Sequence, residues 1–284
     1  MPFKHNNIVE THVLEVRELG GPGKRRWKEI LVEYPEISFG PGQFVMIRMD
    51  CGPTCWAYPY MLQKRTDQGF AVCAVEHSSL YEAQPGTPLV VWGANGRAVR
   101  PGADTVVLSQ SATWFLAAPF LEAEPRCRQI MLCDPMDREF LGKNPSVRPV
   151  ESVEEMAREL EQTRPGAVAA ALNIPVLLKL TAVWDRPQHL PFDVFAATRI
   201  SCGVGGCKSC YLHSQSIRLG IPVCCSGPYL PYERVDFETD RRCFHTFEWT
   251  GGTIWLTYLS AFPWENGNCA LKIRSCRPPP GWAI

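Results

Sequence analysis

The amino-acid sequence predicts an α+β multidomain chain, and three features of the sequence carry that prediction. Residues 1–100 contain short alternating segments separated by Gly and Pro, which are typical of antiparallel strands. Segments typical of strands and of helices then alternate over residues 101–195. Cysteines cluster within residues 196–235, and residues 236–284 form an extension rich in aromatic side chains. We therefore predict an N-terminal antiparallel barrel or sandwich, a central α/β domain and a C-terminal cysteine module.

Alternation of apolar and polar residues predicts the strands of residues 1–100. Residues 8–16, 27–33 and 44–49 alternate for most of their length, as half-buried strands do. Turn-forming residues separate them at 20–23, 40–42 and 85–86. Short strands at this spacing favour an antiparallel barrel or sandwich.

The central region changes from strand periodicity alone to strands interleaved with helices. We expect strands at 105–108, 129–133 and 175–181, and a helix within 111–124. Ser152 and Glu155 form a capping box that predicts a helix ending near residue 163. This order favours a small parallel sheet covered by helices.

Composition and charge exclude several classes of protein. The 284 residues include 29 Lys+Arg and 29 Asp+Glu, so the neutral chain has no overall attraction for nucleic acid. At 45% hydrophobic and 20% charged residues, it is not a disordered chain. No apolar run approaches the roughly 20 residues of a membrane span, and the first residues do not resemble a signal peptide. With 13 cysteines, an odd number, we expect a reducing, cytoplasmic location.

The cysteines of the third region have the spacing of an iron–sulfur site. Cys202, Cys207 and Cys210 form C-x4-C-x2-C, and the adjacent pair Cys224 and Cys225 follows thirteen residues later. This is the ligand spacing of plant-type [2Fe–2S] proteins, in which a glycine-rich loop curls around the cluster. A four-cysteine zinc site and a group of inert buried thiols are the alternatives. From spacing alone, either Cys224 or Cys225 is the fourth ligand.

These motifs resemble the electron-transfer subunit family of dihydroorotate dehydrogenase. The resemblance rests on I-S-C-G-V-G-G-C-K-S-C at 200–210 and V-C-C-S-G-P at 223–228, and it covers about residues 5–235. It implies a flavin-binding barrel, a nicotinamide-binding α/β domain and a [2Fe–2S] module in that order. Matching V-C-x-x-G-P implies Cys224 as the fourth ligand, beside Cys202, Cys207 and Cys210.

The resemblance also implies an FAD site on the barrel. The segment G-P-G-Q-F at 40–44 is similar to the strand entry of the family, and Tyr58–Met61 lies where related reductases carry an R-x-Y-S motif. Here Tyr58 and Met61 replace the arginine and the serine, while Tyr60 is in the position that packs on the flavin ring. The alternative is a barrel that has lost its flavin. The residues implied in FAD binding are Tyr58, Pro59, Tyr60, Met61, His77, Ser78, Ser79, Gly93, Asn95 and Gly96.

The predicted nicotinamide site departs from the family pattern. Such a site needs a glycine-rich turn after the first strand so that backbone N–H groups approach the pyrophosphate. Residues 109–115 contain no Gly, and Trp114 and Phe115 crowd the helix entry. The C-G-P segment of the family is also missing. We therefore expect no NAD(P) binding, although the α/β fold is kept.

Together these features predict an electron-transfer subunit of a multi-subunit iron–sulfur flavoprotein oxidoreductase. It would relay electrons between FAD and a partner subunit through the [2Fe–2S] cluster, and residues 236–284 would dock that partner or the body of this chain. One alternative is a self-sufficient NAD(P)H-dependent flavin reductase. Another is a structural subunit that keeps the fold without flavin.

Overall fold

The computed structural model describes residues 8–22, 25–50, 56–214, 217 and 220–237. Its N-terminal region is a closed antiparallel barrel with strand order β1-β2-β5-β4-β3-β6. The predicted strands at 27–33 and 44–49 have the expected bounds, and closure decides for a barrel over a sandwich. The six strands are β1 (Ile8–Leu19), β2 (Trp27–Glu33), β3 (Phe44–Met49), β4 (Tyr58–Arg65), β5 (Gly69–Val75) and β6 (Pro88–Asn95).

The barrel interior is filled by alternate residues of its strands. Ile30 and Val32 of β2 pack there with Val45 and Ile47 of β3. A 3₁₀ turn at Ser79–Glu82 places Leu80 and Tyr81 in the same core. The residues between the inward ones therefore face out of the barrel.

The central region is a parallel sheet with helices, as the sequence predicts. Five strands pair in parallel: β7 (Thr105–Gln110), β8 (Arg128–Leu132), β9 (Val147–Val150), β10 (Ala167–Ala170) and β11 (Phe192–Phe195). The helices are α1 (Ala118–Ala123), α2 (Arg138–Lys143), α3 (Val153–Thr163) and α4 (Ile174–Val183). The Ser152 cap is present, since Ser152 Oγ accepts from the Glu155 N–H at 3.1 Å, while the Glu155 carboxylate accepts from the N–H of Glu151, one residue before the cap, at 2.8 Å.

Two predictions for this region need correction. Residues 175–181 are not a strand but the body of α4, whose first turn is capped by Asn173 accepting from the Val176 N–H at 3.0 Å. Pro175 fits that first turn because the missing N–H has no helical partner there. The strand of this part of the sheet is β10, just before it. The helix predicted within 111–124 is shorter, a 3₁₀ turn at Trp114–Ala117 followed by α1.

The cysteine region contributes to the same sheet. It contains a two-stranded ladder of β12 (Tyr211–Leu212) and β13 (Ile221–Pro222), a single helical turn α5 (Val223–Ser226), and β14 (Tyr229–Pro231). β14 pairs antiparallel with β11 and gives a six-stranded sheet of order β14-β11-β10-β7-β8-β9. The cysteine loop is therefore anchored to the sheet on both sides, through β11 and β14.

The barrel and the sheet domain are in direct contact. Met61 of β4 packs against three hydrophobic clusters, which contain Phe44, Phe115 and Phe120. Arg97, after β6, forms an ion pair with Asp193 of β11. Among the described residues, no helix is long and apolar enough to cross a bilayer. The predicted aromatic extension lies outside the described residues beyond position 237.

Candidate metal centre

The cysteine loop turns sharply at two glycines. Gly203 and Gly205 have φ of 75° and 80°, a left-handed conformation that residues with a Cβ rarely adopt. There is also no space for a side chain, because a Cβ on Gly203 would lie 2.6 Å from Met46 Cγ. A Cβ on Gly205 would lie 2.8 Å from Cys225 Sγ. Both glycines are thus required by the shape of the loop.

Backbone N–H groups of this region point at the cysteine sulfurs. The Gly205 N–H donates to Cys224 Sγ at 3.1 Å, and the Val204 N–H donates to Cys202 Sγ at 3.4 Å. The Cys224 N–H donates to Cys210 Sγ at 3.5 Å. Three of the four predicted ligand sulfurs therefore accept hydrogen bonds from the backbone, an arrangement that stabilises thiolates and tunes iron–sulfur sites.

The fifth cysteine lies next to the predicted ligands. Cys224 is buried and Cys225 is exposed, with their Sγ atoms 3.7 Å apart. The backbone hydrogen bond from Gly205 goes to Cys224, the ligand that the family resemblance implies. Within the described parts of the chain, no three Cys, His, Asp or Glu side chains converge on one point as around a single metal ion. The [2Fe–2S] cluster and its ligand set stay predictions.

Local hydrogen bonds favour thiolates at two of these positions. A hydrogen bond from the Cys224 thiol lowers the pKa of Cys210 to about 6, and the same shared proton raises the pKa of Cys224. Burial alone would raise the pKa of Cys207, but hydrogen bonds from Ser209 and Cys202 lower it to about 7. A thiolate is the form that binds metal.

The outer face of the barrel holds the cysteine loop. Trp92 Nε1 donates to the carbonyl oxygen of Cys202 at 2.9 Å, and Asn95 Nδ2 donates to the Trp92 carbonyl at 3.1 Å. Met46, fully buried, packs beneath Gly203. Gly93 and Asn95, predicted to bind flavin, thus lie at the junction of barrel and cysteine loop. Trp92 and Met46 carry no motif, and only a structure identifies them.

Gly96, the last residue of the predicted flavin turn, also contacts the cysteine region. The N–H of the next residue, Arg97, donates to the carbonyl of Gly227 at 2.6 Å. That glycine follows α5, which carries Cys224. The end of β6 therefore contacts both chain segments that supply the predicted ligands.

The side chains of β4 alternate between the barrel core and the outer face, so the four residues predicted to bind flavin do not share one face. Tyr58 and Tyr60 pack with the barrel core, whereas Met61 packs against the clusters of the α/β side. Pro59 pairs with Met46, whose side chain is on the outer face. Because successive residues of a strand point to opposite faces, the outward pair is Pro59 and Met61. Tyr60 is directed away from the face where the sequence places a flavin ring.

The predicted phosphate donors are close to Tyr60 as well. The Tyr60 hydroxyl lies 3.0 Å from Ser79 Oγ and accepts from the Leu80 N–H at 3.2 Å. Burial raises the pKa of Tyr60, so its hydroxyl is a neutral group that bridges these partners. Ser78 is buried, and His77 is exposed with φ of 69°. Tyr60, Ser79 and Leu80 form a hydrogen-bonded group at the 3₁₀ turn, and the phosphate-binding role of His77, Ser78 and Ser79 stays a prediction.

The strand order of the parallel sheet places its switch point between β7 and β10, where α/β proteins of this topology bind nucleotides. Gln110 Oε1 accepts from the Asn173 N–H at 3.0 Å, and the Thr113 hydroxyl donates to the Ala171 carbonyl. Protein groups therefore bridge this crevice. Trp114 packs beside it, with its ring centroid 4.9 Å from that of Phe140.

Comparison with known proteins identifies the fold. No protein-family model and no curated protein matches the sequence. A structure described as an NADH-dependent reduced ferredoxin-NADP oxidoreductase, studied for flavin-based electron bifurcation, superposes with a TM-score of 0.65 at 17% identity, covering 82% of this chain and 92% of that chain. This chain has the ferredoxin-NADP⁺ reductase fold.

A second neighbour has the same fold over a smaller share of this chain. A variant of ferredoxin-NADP⁺ reductase from Plasmodium falciparum with 2'P-AMP superposes with a TM-score of 0.51 at 8% identity, covering 66% of this chain and 96% of that chain. The ferredoxin-NADP⁺ reductase fold accounts for the six-stranded barrel followed by the parallel sheet domain. At these identities the likeness establishes architecture alone.

Proposed function

We propose that this chain is an electron-transfer subunit of a multi-subunit iron–sulfur flavoprotein oxidoreductase. The observation that carries the proposal is the cysteine loop, in which backbone N–H groups are directed at Cys202, Cys210 and Cys224. Inert thiols require neither this geometry nor the two left-handed glycines. The ferredoxin-NADP⁺ reductase fold supports a redox role for the body that holds the loop.

In this proposal Cys202, Cys207, Cys210 and Cys224 hold a [2Fe–2S] cluster. When bound, the cluster supplies one-electron chemistry. The chain's own residues set the conditions for it. Val204 and Gly205 donate hydrogen bonds to sulfur, Cys210 and Cys224 are buried, and Cys207 is exposed at the surface. The exposed edge provides a short route to a partner protein.

FAD is the second cofactor in the proposal, because the N-terminal region has the barrel of the ferredoxin-NADP⁺ reductase fold. Because Tyr60 and Ser79 are engaged with each other, we assign neither of them a contact with flavin. The outward residues Pro59 and Met61 are the positions of β4 on the face toward the domain junction. The cysteine motif further favours a relationship to the dihydroorotate dehydrogenase electron-transfer subunit, and this too belongs to the proposal.

The second candidate is an NAD(P)H-dependent flavin reductase. It is favoured by the first structural neighbour, whose description names NADH and NADP, and by the strand order with a switch point between β7 and β10. Against it stand the missing glycine turn and the hydrogen bonds that bridge the crevice. The description of the first structural neighbour supports the NAD(P)H-dependent reductase more than the sequence alone does.

An anaerobic titration separates these candidates. The purified full chain is mixed with NADH, with NADPH and with dithionite, while flavin and iron–sulfur absorbance are recorded. The proposal predicts bleaching of both chromophores by dithionite and no fast bleaching by either nucleotide. Rapid bleaching by a nucleotide decides for the reductase. Absence of flavin after acid release decides for a subunit that keeps the fold without flavin.

A further inference from the structure

The cysteine segment has a charge composition unlike that of the whole chain. Between Asp193 and Glu233 the sequence contains no Asp or Glu, whereas it contains Arg199, Lys208 and Arg218. At the chain's average of 29 acidic residues in 284, a stretch of this length would carry about four. The segment therefore carries a net positive charge because it lacks acidic residues, although it is not richer in Lys and Arg than the rest of the chain.

Two of these cations belong to one surface. The Ser209 hydroxyl lies 3.5 Å from the carbonyl oxygen of Arg199 and 3.1 Å from Ser201 Oγ, so residues 199–201 run beside residues 207–209. The side chains of Arg199 and Lys208 are exposed. In the part of the chain that the structure describes, neither forms an ion pair with a carboxylate.

The same surface presents an apolar residue and a predicted ligand. Val204 is 43% exposed at the tip of the loop, and Cys207 is exposed next to Lys208. Lys208 itself has φ of 60°, a left-handed conformation that residues with a Cβ rarely adopt. The backbone of the loop thus places this exposed lysine next to Cys207.

We propose that this surface docks an acidic electron-carrier protein, whose carboxylates pair with Arg199 and Lys208. The inference rests on the proposed function and names the partner chemistry. Opposite charges steer two proteins into one orientation and raise their rate of association. That orientation would bring the partner to the exposed Cys207, where a [2Fe–2S] cluster held by the cysteine loop would supply one-electron exchange with the partner's own redox group.

The competing role for these cations is compensation of the negative charge of the thiolates and their metal. Compensation would alter the reduction potential and leave docking unchanged. Docking predicts the reverse, a loss of affinity for acidic proteins that depends on salt. A charge reversal on the loop therefore separates the two roles.

The test uses the full chain and Lys208→Glu. The matched control is Arg164→Glu, since Arg164 is also exposed and left-handed, with φ of 47°. Arg164 precedes β10 at the amino edge of the parallel sheet, whereas the cysteine loop follows the carboxyl end of β11. Calorimetric titrations with an acidic plant-type ferredoxin and with a basic cytochrome c are run at about 0.02 M and about 0.3 M NaCl.

We expect the ferredoxin, and not the cytochrome, to bind the unmodified chain. Lys208→Glu should weaken this binding by about tenfold or more at low salt, and high salt should remove most of the difference. Arg164→Glu should bind as the unmodified chain does. Iron and acid-labile sulfide are measured in every sample to show that each holds the same metal centre.

Two results overturn the docking proposal while leaving the proposed function intact. One is an iron–sulfur-loaded chain that does not bind ferredoxin, or binds it equally well after Lys208→Glu. The other is a changed reduction potential in Lys208→Glu with unchanged affinity, which assigns the cations to charge compensation. Absence of iron and sulfide from the unmodified chain instead contradicts the proposed function itself.

Discussion

Two loops that follow strands of the same parallel sheet are built in opposite ways. After β11, the cysteine loop directs backbone N–H groups at sulfur atoms and has no room for side chains at Gly203 and Gly205. After β7, the crevice is bridged by side chains, with Gln110 accepting from the Asn173 N–H and Thr113 donating to the Ala171 carbonyl. In the first loop, backbone N–H groups donate to cysteine sulfurs, whereas at the second the polar groups pair with one another across the crevice.

This difference indicates where the chain would place a cofactor of its own. A nucleotide site exposes backbone N–H groups at a strand end so that they can bind phosphate. In this chain, backbone N–H groups of the cysteine loop donate to thiol sulfurs, while the Asn173 N–H donates to the side-chain oxygen of Gln110. We therefore propose that the ferredoxin-NADP⁺ reductase fold of this chain positions a metal centre at the cysteine loop, while polar groups of the protein bridge its switch-point crevice.

The largest expected effect comes from the predicted ligands. Replacing Cys210 or Cys224 with Ser should reduce iron from about two per chain to near zero, because a [2Fe–2S] cluster needs four ligands. Cys225→Ser should keep the iron, and Cys133→Ser, in the α/β domain, is the control for loss of a thiol elsewhere. Iron content is measured after anaerobic reconstitution. If Cys225→Ser loses iron and Cys224→Ser keeps it, the fourth ligand is Cys225.

Next in size is the effect of filling the loop. Gly203→Ala should destabilise the chain by about 2–4 kcal/mol, because the new Cβ meets Met46 and the backbone is left-handed. Gly206→Ala is the matched control: a Cβ there has nothing within 4 Å, and we expect a change below about 1 kcal/mol. Urea unfolding of both variants measures these changes in the free energy of unfolding. Equal stability of the two would contradict a close-fitting loop.

A smaller effect is expected where the loop contacts the barrel. Trp92→Phe removes the donor to the Cys202 carbonyl and should cost about 1–2 kcal/mol of unfolding free energy. Because that carbonyl belongs to a predicted ligand residue, the reduction potential of the metal centre should shift as well. Urea unfolding and a redox titration monitored by absorbance provide the two readouts. If the reduction potential does not change, the hydrogen bond from Trp92 has no influence on the metal centre.

The smallest effect concerns the crevice. Gln110→Ala leaves the Asn173 N–H without its acceptor and should cost about 1 kcal/mol in stability. Iron and sulfide content should not change, because the crevice and the cysteine loop are separate structures. Thermal unfolding and metal analysis of the same preparation provide the check. Loss of iron in this variant would show that the crevice and the cysteine loop form one site, which contradicts the expectation that they are separate.

Sequence reasoning succeeds where local pattern and tertiary environment agree. Alternation places β2 and β3 because each has one face in the barrel core, and the capping box places α3 because its hydrogen bonds are local. It fails at residues 175–181, an apolar run in which periodicity does not distinguish a buried strand from a buried helix. The signal that indicates the helix is Asn173 followed by Pro175, a cap and a first-turn proline.

The residues of the candidate site likewise fall into those that local sequence predicts and those that only the tertiary structure brings together. Spacing alone predicts Cys202, Cys207 and Cys210 as ligands, because these residues are close in sequence. The contacts of Trp92 with Cys202 and of Met46 with Gly203 join residues more than a hundred positions apart, and no motif encodes them. The inward direction of Tyr60 depends on the strand register at the barrel wall, which a single-residue offset reverses.

Metal analysis of the anaerobically purified full chain tests the central claim most directly. Iron, zinc and acid-labile sulfide are quantified per chain, and the visible and electron paramagnetic resonance spectra are recorded after reduction. We expect about two irons and two sulfides per chain, with the spectra of a [2Fe–2S] cluster. About one zinc per chain without sulfide, or no metal at all, would contradict it.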